Sequence, residues 1–263
     1  MIVLSTYLII DFNFLILNLN NMDNYIRDYK DNQAYAEQVV TQSTFAILMR
    51  KVYVWMALAL VVSGLTAYYV AGSEQMLQAI FGNQITFWVL AIAEIGLVIG
   101  LTAAINKLSF PVAAIMFLLF SILNGVTLSA IFVVYTMSSI ATTFFVTAGT
   151  FAAMAFIGYT TKKDLTKLGG ILLMALIGLI IASVVNIFLK NSMMDIVISA
   201  IGVLIFVGLT AYDAQKIKEM MYENGSEVND FTQKLAVLGA LSLYLDFINL
   251  FLYLLRFLGK QRS

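Results

Sequence analysis

Seven apolar runs, each close to the length that crosses a bilayer, constrain this chain more than any other feature. A spanning helix needs about 20 mainly apolar residues. Runs of that order occupy residues 52–71, 85–105, 112–135, 140–160, 168–189, 196–213 and 235–258. With 61% of residues hydrophobic and 11% charged, against about a quarter charged in a soluble domain, the surface is built to meet lipid. The expected fold class is an all-α membrane protein with seven transmembrane helices. Short connections make successive helices antiparallel neighbours.

Several chemistries are excluded at once. The chain has no cysteine and no histidine, so disulfides, thiolate or imidazole metal sites, cysteine nucleophiles and serine–histidine triads are absent. Without imidazole, proton sensing near neutrality falls to carboxylates. Fifteen basic and fifteen acidic residues balance, which gives nucleic acid no basic surface to bind.

Residues 1–21 are apolar but interrupted by Asp11, Asn13, Asn18 and Asn20. They have no basic leading region and no small-residue cleavage site, so a signal peptide is disfavoured. The preferred reading is an over-extended start, with Met22 the true beginning; a peripheral apolar helix is the alternative. Residues 22–46 read as a polar cytoplasmic segment, and residues 47–259 as the transmembrane domain.

Lysine and arginine set the expected orientation. Arg27, Lys30, Arg50, Lys51, Lys107, Lys162, Lys163, Lys167, Lys216, Lys218 and Lys234 fall on one side, and Lys190, Arg256, Lys260 and Arg262 on the other. The residues before the first span are thus expected in the cytoplasm. The basic cluster after the last span is discordant. Either that helix stops short of crossing, or Arg256 is buried and functional.

Charges inside a span are costly enough to mark function by default. Glu94 in span two, Asp213 near the end of span six and Asp246 in the middle of span seven stand out, whereas Asp164 and Asp195 sit at helix ends. In span seven, Gly239, Ser242, Asp246, Asn249, Tyr253 and Arg256 recur every three or four residues, which puts them on one helical face. The other faces read as Leu, Ile and Phe. Small and polar residues on such a stripe can serve as packing glue, but packing does not require Asp246 or Arg256. Span six repeats the pattern more mildly through Ser199, Gly202, Phe206, Thr210 and Asp213.

Depth raises a difficulty. Asp213 lies about one turn from Lys216 and Lys218, whereas Asp246 lies about 17 Å into its helix at 1.5 Å per residue. The two meet only if helix six continues past Lys218 or water reaches inward. If they meet in a poor dielectric, both cannot ionise cheaply and they share a proton. A protein without histidine thereby gains a pH switch. Ionised, the same oxygens suit a hard cation such as calcium, so proton and cation compete for Asp213 and Asp246.

The strings GLTAYDAQKIK at 208–218 and ALSLYLDFINLFLYLLRFLG at 240–259, with SILNGVTLSAIF at 121–132 and KKDLTKLGG at 162–170, resemble the transmembrane Bax inhibitor motif family, including its bacterial YccA-like members. The resemblance covers roughly residues 45–259. It implies two triple-helix layers around a central seventh helix, and a pH-sensitive calcium leak channel without a bound cofactor. It further implies an aspartate pair as sensor, matched by Asp213 and Asp246. Glu94 and Arg256 match the family's acidic residue on helix two and basic residue on helix seven, and Asn124, Ser242, Asn249 and Tyr253 complete a supporting polar network. One departure concerns gating: some members latch the helix-six aspartate with a basic residue deep in helix two, where this chain reads AAINK with only Lys107 at the helix end.

Rival readings separate on sequence. An intramembrane aspartyl protease also places aspartates on helices six and seven, but needs GxGD and a later PAL motif. Here the second aspartate reads LYLD and no proline follows Pro111. A retinal protein needs a lysine midway along helix seven, which is absent. The resemblance also raises association with the membrane protease FtsH, which grips polar tails such as residues 23–42. A proton-coupled cation exchanger is the third alternative. The expected location is the inner membrane of a bacterium.

Overall fold

A computed structural model describes residues 42–224 and 227–262. The sequence readings for residues 1–41 lie outside the described residues. Among the described residues, nine helices follow in order: α1 (Gln42–Ala71), α2 (Glu74–Phe81), α3 (Gln84–Ala103), α4 (Phe110–Leu128), α5 (Ala130–Val134), α6 (Met137–Thr160), α7 (Thr166–Leu189), α8 (Ser192–Asn224) and α9 (Asp230–Leu258). Seven are long and apolar enough to cross a membrane, with α4 and α5 together forming the third span. The seven expected spans are therefore present, and the bundle is all-α.

Two layers enclose α9. In one, α4 packs against α1 and α3; in the other, α8 packs against α6 and α7. Helix α9 touches α1 and α4 on one side and α6 and α8 on the other. Its most apolar 18-residue stretch is 89% buried, against at most 39% in any other span. A helix shielded from lipid on every side can carry polar groups that a peripheral helix cannot. The two-layer arrangement around a central seventh helix is thus observed.

Helix ends differ from the sequence reading where polar signals override hydropathy. Helix α8 continues to Asn224, six residues past Lys218. Residues 214–224 look like a loop by hydropathy, yet Ala214, Ile217 and Met221 form a buried stripe at helical spacing. Helix α9 starts at Asp230 behind a capping box, in which the Asn229 side chain accepts from Thr232 N and the Thr232 hydroxyl accepts from Asn229 N. The short α2, capped by Ser73, fills a connection that hydropathy left blank.

Residues after α9 fold back on the turn before α6. Thr136 N donates to Lys260 O at 3.1 Å, Arg262 N to Val134 O at 2.9 Å and Lys260 N to the Ser139 hydroxyl at 2.8 Å. One point raised for the discordant basic cluster is corrected: Arg256 is not buried. Helix α9 is long enough to cross fully, and Arg256 is exposed in its last turn. The charge sits at the exposed end of α9.

Candidate functional site: buried carboxylates around the central helix

All three candidate acids inside spans are buried. Asp213 is 2% exposed, and Glu94 and Asp246 are 0% exposed. The depth difficulty for Asp213 disappears with the longer helix. Eleven residues separate it from Asn224, which puts it about 17 Å inside α8 at 1.5 Å per residue.

Contacts on either side fix the register of the antiparallel α8–α9 pair. Toward one end, a Cβ added to Gly239 would lie 3.1 Å from the Ile217 side chain. Toward the other, the Phe206 and Tyr253 rings stack at 5.8 Å, and a Cβ on Gly202 would meet the Tyr253 ring. Asp246 lies seven residues from both Gly239 and Tyr253, and Asp213 lies four before Ile217 and seven after Phe206. Seven residues are close to two full turns, so each carboxylate shares the facing side of its helix with those contacts. Asp213 and Asp246 thus occupy one level of the α8–α9 seam.

One turn beyond Asp246, Asn249 is 0% exposed, and both of its amide heteroatoms lack a hydrogen-bond partner among the described residues. Asn249 lines a cavity of about 640 Å³ that Tyr253 and Arg256 also line, together with Ser183, Lys190 and Asp195. The cavity lies at the end of the bundle opposite the basic connections. Two of its charged side chains are cationic and one, Asp195, is anionic. Asp195 is exposed and accepts a 2.8 Å hydrogen bond from the Asn186 amide. Asp164, the other acid at a helix end, is also exposed. The Thr166 side chain and backbone N–H hold its carboxyl below the usual carboxylate range.

Glu94 belongs to a different cluster, on the other side of α9. The Thr127 hydroxyl donates to Glu94 Oε1 at 2.5 Å, and the Asn124 amide approaches Oε2 at 3.5 Å. The Tyr244 hydroxyl donates to Asn124 Oδ1 at 2.9 Å and shares a 2.6 Å hydrogen bond with the Ser63 hydroxyl. The Ser63 hydroxyl also lies 2.7 Å from Ser121 O, in position to donate. The chain of polar groups ties together α1, α3, α4 and α9. The supporting network expected from sequence is therefore divided: Glu94 and Asn124 on this side, Asn249, Tyr253 and Arg256 around the cavity. Ser242 is half-buried on α9.

Sequence reading missed Ser63, Thr127 and Tyr244. Tyr244 carries the clearest overlooked signal: a polar-tipped side chain two residues from Asp246, on the face described as Leu, Ile and Phe. Lys234, one of the basic residues of the expected cytoplasmic side, is also not simply solvent-facing. It is 6% exposed, with its ammonium 2.8 Å from Leu108 O and 3.3 Å from the Asp230 carboxylate. Together Lys234 and Asp230, which accepts from Phe110 N at 2.9 Å, clamp the start of α9 to the start of α4. Among the described residues, no group of three or more Asp, Glu, Cys or His could hold a resident metal.

Comparison with known proteins places this architecture. Residues 46–263 match the family described as inhibitor of apoptosis-promoting Bax1. The inner membrane protein YbhL of Escherichia coli K12 is 49% identical over 214 residues, which cover 81% of this chain and 92% of YbhL. An uncharacterized protein of Borreliella burgdorferi is 46% identical over 231 residues, 85% of this chain and 98% of that protein. Another, from Rickettsia prowazekii, is 44% identical over 219 residues, 82% and 90% of the two chains. With the family matched across nearly all the described residues and its seven-helix, two-layer fold observed, this chain belongs to the Bax inhibitor motif family.

Proposed function

We propose that the protein is a pH-sensitive cation leak pathway of a bacterial inner membrane, with calcium as the favoured ion and Asp213 and Asp246 as its proton-operated gate. The observation that carries this reading is the position of two buried carboxylates at one level of the α8–α9 seam, one turn below a polar cavity. The relative named as an inner membrane protein supports the location, and the lysine and arginine distribution supports cytoplasmic placement of residues before α1.

A proton shared by the pair lowers its charge from two negative to one and weakens the pull on a cation, and a second proton removes that pull. Ionised, two carboxylates and the nearby Asn249 amide oxygen offer oxygen ligands to a hard cation. They fall short of the six to eight that calcium prefers, so the ion is held briefly and passes on. Lys190 and Arg256 at the cavity mouth oppose cation accumulation, which suits a slow leak better than a high-conductance pore.

The test is calcium flux into liposomes that contain the purified protein, measured across a pH series. Flux is expected to depend on pH, and Asp213→Asn or Asp246→Asn is expected to shift or flatten that dependence. Flux whose pH profile is unchanged by both substitutions would falsify the gate. Saturating flux with stoichiometric proton counterflow would identify an exchanger instead. No flux, with co-purification of a membrane protease, would leave only a partner role.

A further inference from the structure

The outer surface of the bundle carries a second cavity, unrelated to the carboxylates. It measures about 610 Å³ and lies between α1 and α6, within the range of about 300–1,000 Å³ typical of small-molecule sites. Its lining includes Arg50, Tyr53, Ala57, Ala152, Ala155 and Tyr159. On α6 the lining residues recur at 152, 155, 156 and 159, a single helical face. Alanine at 152 and 155, and at 57 on α1, leaves a slot where larger side chains would have closed the seam.

Three features identify the occupant. First, the slot follows α1 from Ala46 to Leu60, about 21 Å at 1.5 Å per residue, of which the stretch of about 15 Å inward of Arg50 is half of a hydrocarbon core about 30 Å thick. That stretch is one leaflet deep. Second, Arg50 is exposed at its mouth and forms no ion pair with a carboxylate among the described residues. Third, two tyrosines join Arg50 in the lining, and Tyr159 bears a second cation beside it: Lys218 Nζ lies 5.4 Å from the Tyr159 ring centre and donates to Tyr159 O at 2.8 Å. Basic and tyrosine side chains of this kind meet lipid headgroups at the interface.

We propose that the α1–α6 slot binds an anionic phospholipid of the leaflet on the basic side of the bundle. One acyl chain fills the alanine-lined slot, and the phosphate-bearing headgroup lies at Arg50. This is a lipid site on the scaffold, and it holds whether or not the carboxylate pair gates an ion.

The experiment places the full chain in nanodiscs of equal parts phosphatidylglycerol and phosphatidylcholine, extracts it in mild detergent and weighs retained lipid by native mass spectrometry. The wild-type protein is expected to retain phosphatidylglycerol preferentially. Arg50→Gln is expected to lower that preference about fivefold, from roughly 1 kcal/mol per basic residue at a charged membrane surface, and Arg50→Lys to preserve it. Ala155→Phe, which fills the slot, is expected to release either lipid. Equal retention of the two lipids by the wild-type protein, or an unchanged preference in Arg50→Gln, overturns the proposal. Because the readout is lipid mass, failure of the leak reading leaves this result interpretable.

Discussion

Tyr244 sits two residues before Asp246 and therefore looks across the opposite side of the same helix. Its hydroxyl joins Ser63 to Asn124 and, through Asn124, approaches Glu94. A buried polar group in hydrocarbon surroundings is costly unless it is bonded, and Tyr244→Phe removes the shared member of this chain. The loss is moderated because Ser63 retains Ser121 O and Asn124 retains Glu94. Hydrogen bonds between membrane helices average about 0.6 kcal/mol and reach about 1.7, so a destabilisation of about 1 kcal/mol is expected in detergent unfolding. Ser63→Ala added to Tyr244→Phe should cost less than the sum of the two single changes, since they remove one shared bond. Calcium flux should keep its pH profile in Tyr244→Phe, because the aspartate seam lies on the far face. The acidic residues of this region were legible in the sequence because charge inside an apolar run is conspicuous. Tyr244, Ser63 and Thr127 were not, since hydroxyls are common in membrane helices and only their mutual approach distinguishes them.

At the scale of helices, hydropathy located every span but not every end. It follows contact with lipid, whereas a helix continues wherever one face finds protein. Helix α8 shows the difference, with charged residues on its outer side and Ile217 and Met221 buried beneath. That hidden extension carries Asp213 inward, so the depth of the candidate site could not be read from hydropathy. Close approach was equally invisible. Gly158 on α6 lies so near α8 that an added Cβ would run into the backbone carbonyl of Ala211, whereas Gly149 on the same helix has nothing within 4 Å of such an atom. Gly158→Ala is therefore expected to destabilise the bundle by about 1–3 kcal/mol through overpacking. Gly149→Ala should be neutral or stabilising by up to about 1 kcal/mol, since alanine favours helix. Thermal unfolding of the two variants in one detergent checks the contrast. Equal losses at both sites would mean that α6 and α8 do not approach as closely as described.

At the scale of the molecule, an odd number of crossings puts the residues before α1 and after α9 on opposite faces of the membrane. The attachment of residues 260 and 262 to the turn at 134–139 holds the second group at that far end. In the proposed orientation the basic connections, which outweigh the opposite cluster, face the cytoplasm. The polar cavity above Asn249 would in consequence open away from the cytoplasm, and a cation would reach Asp246 from outside the cell. The chain lacks cysteine, so single cysteines can report the topology without background. Gln261→Cys should react with a membrane-impermeant maleimide on intact spheroplasts, and Lys163→Cys only after the membrane is opened. The reverse pattern would invert the bundle and turn the cavity toward the cytoplasm. Labelling of both positions from one side would mean that α9 does not cross, and a central helix without two exposed ends could not connect the carboxylate seam to either compartment.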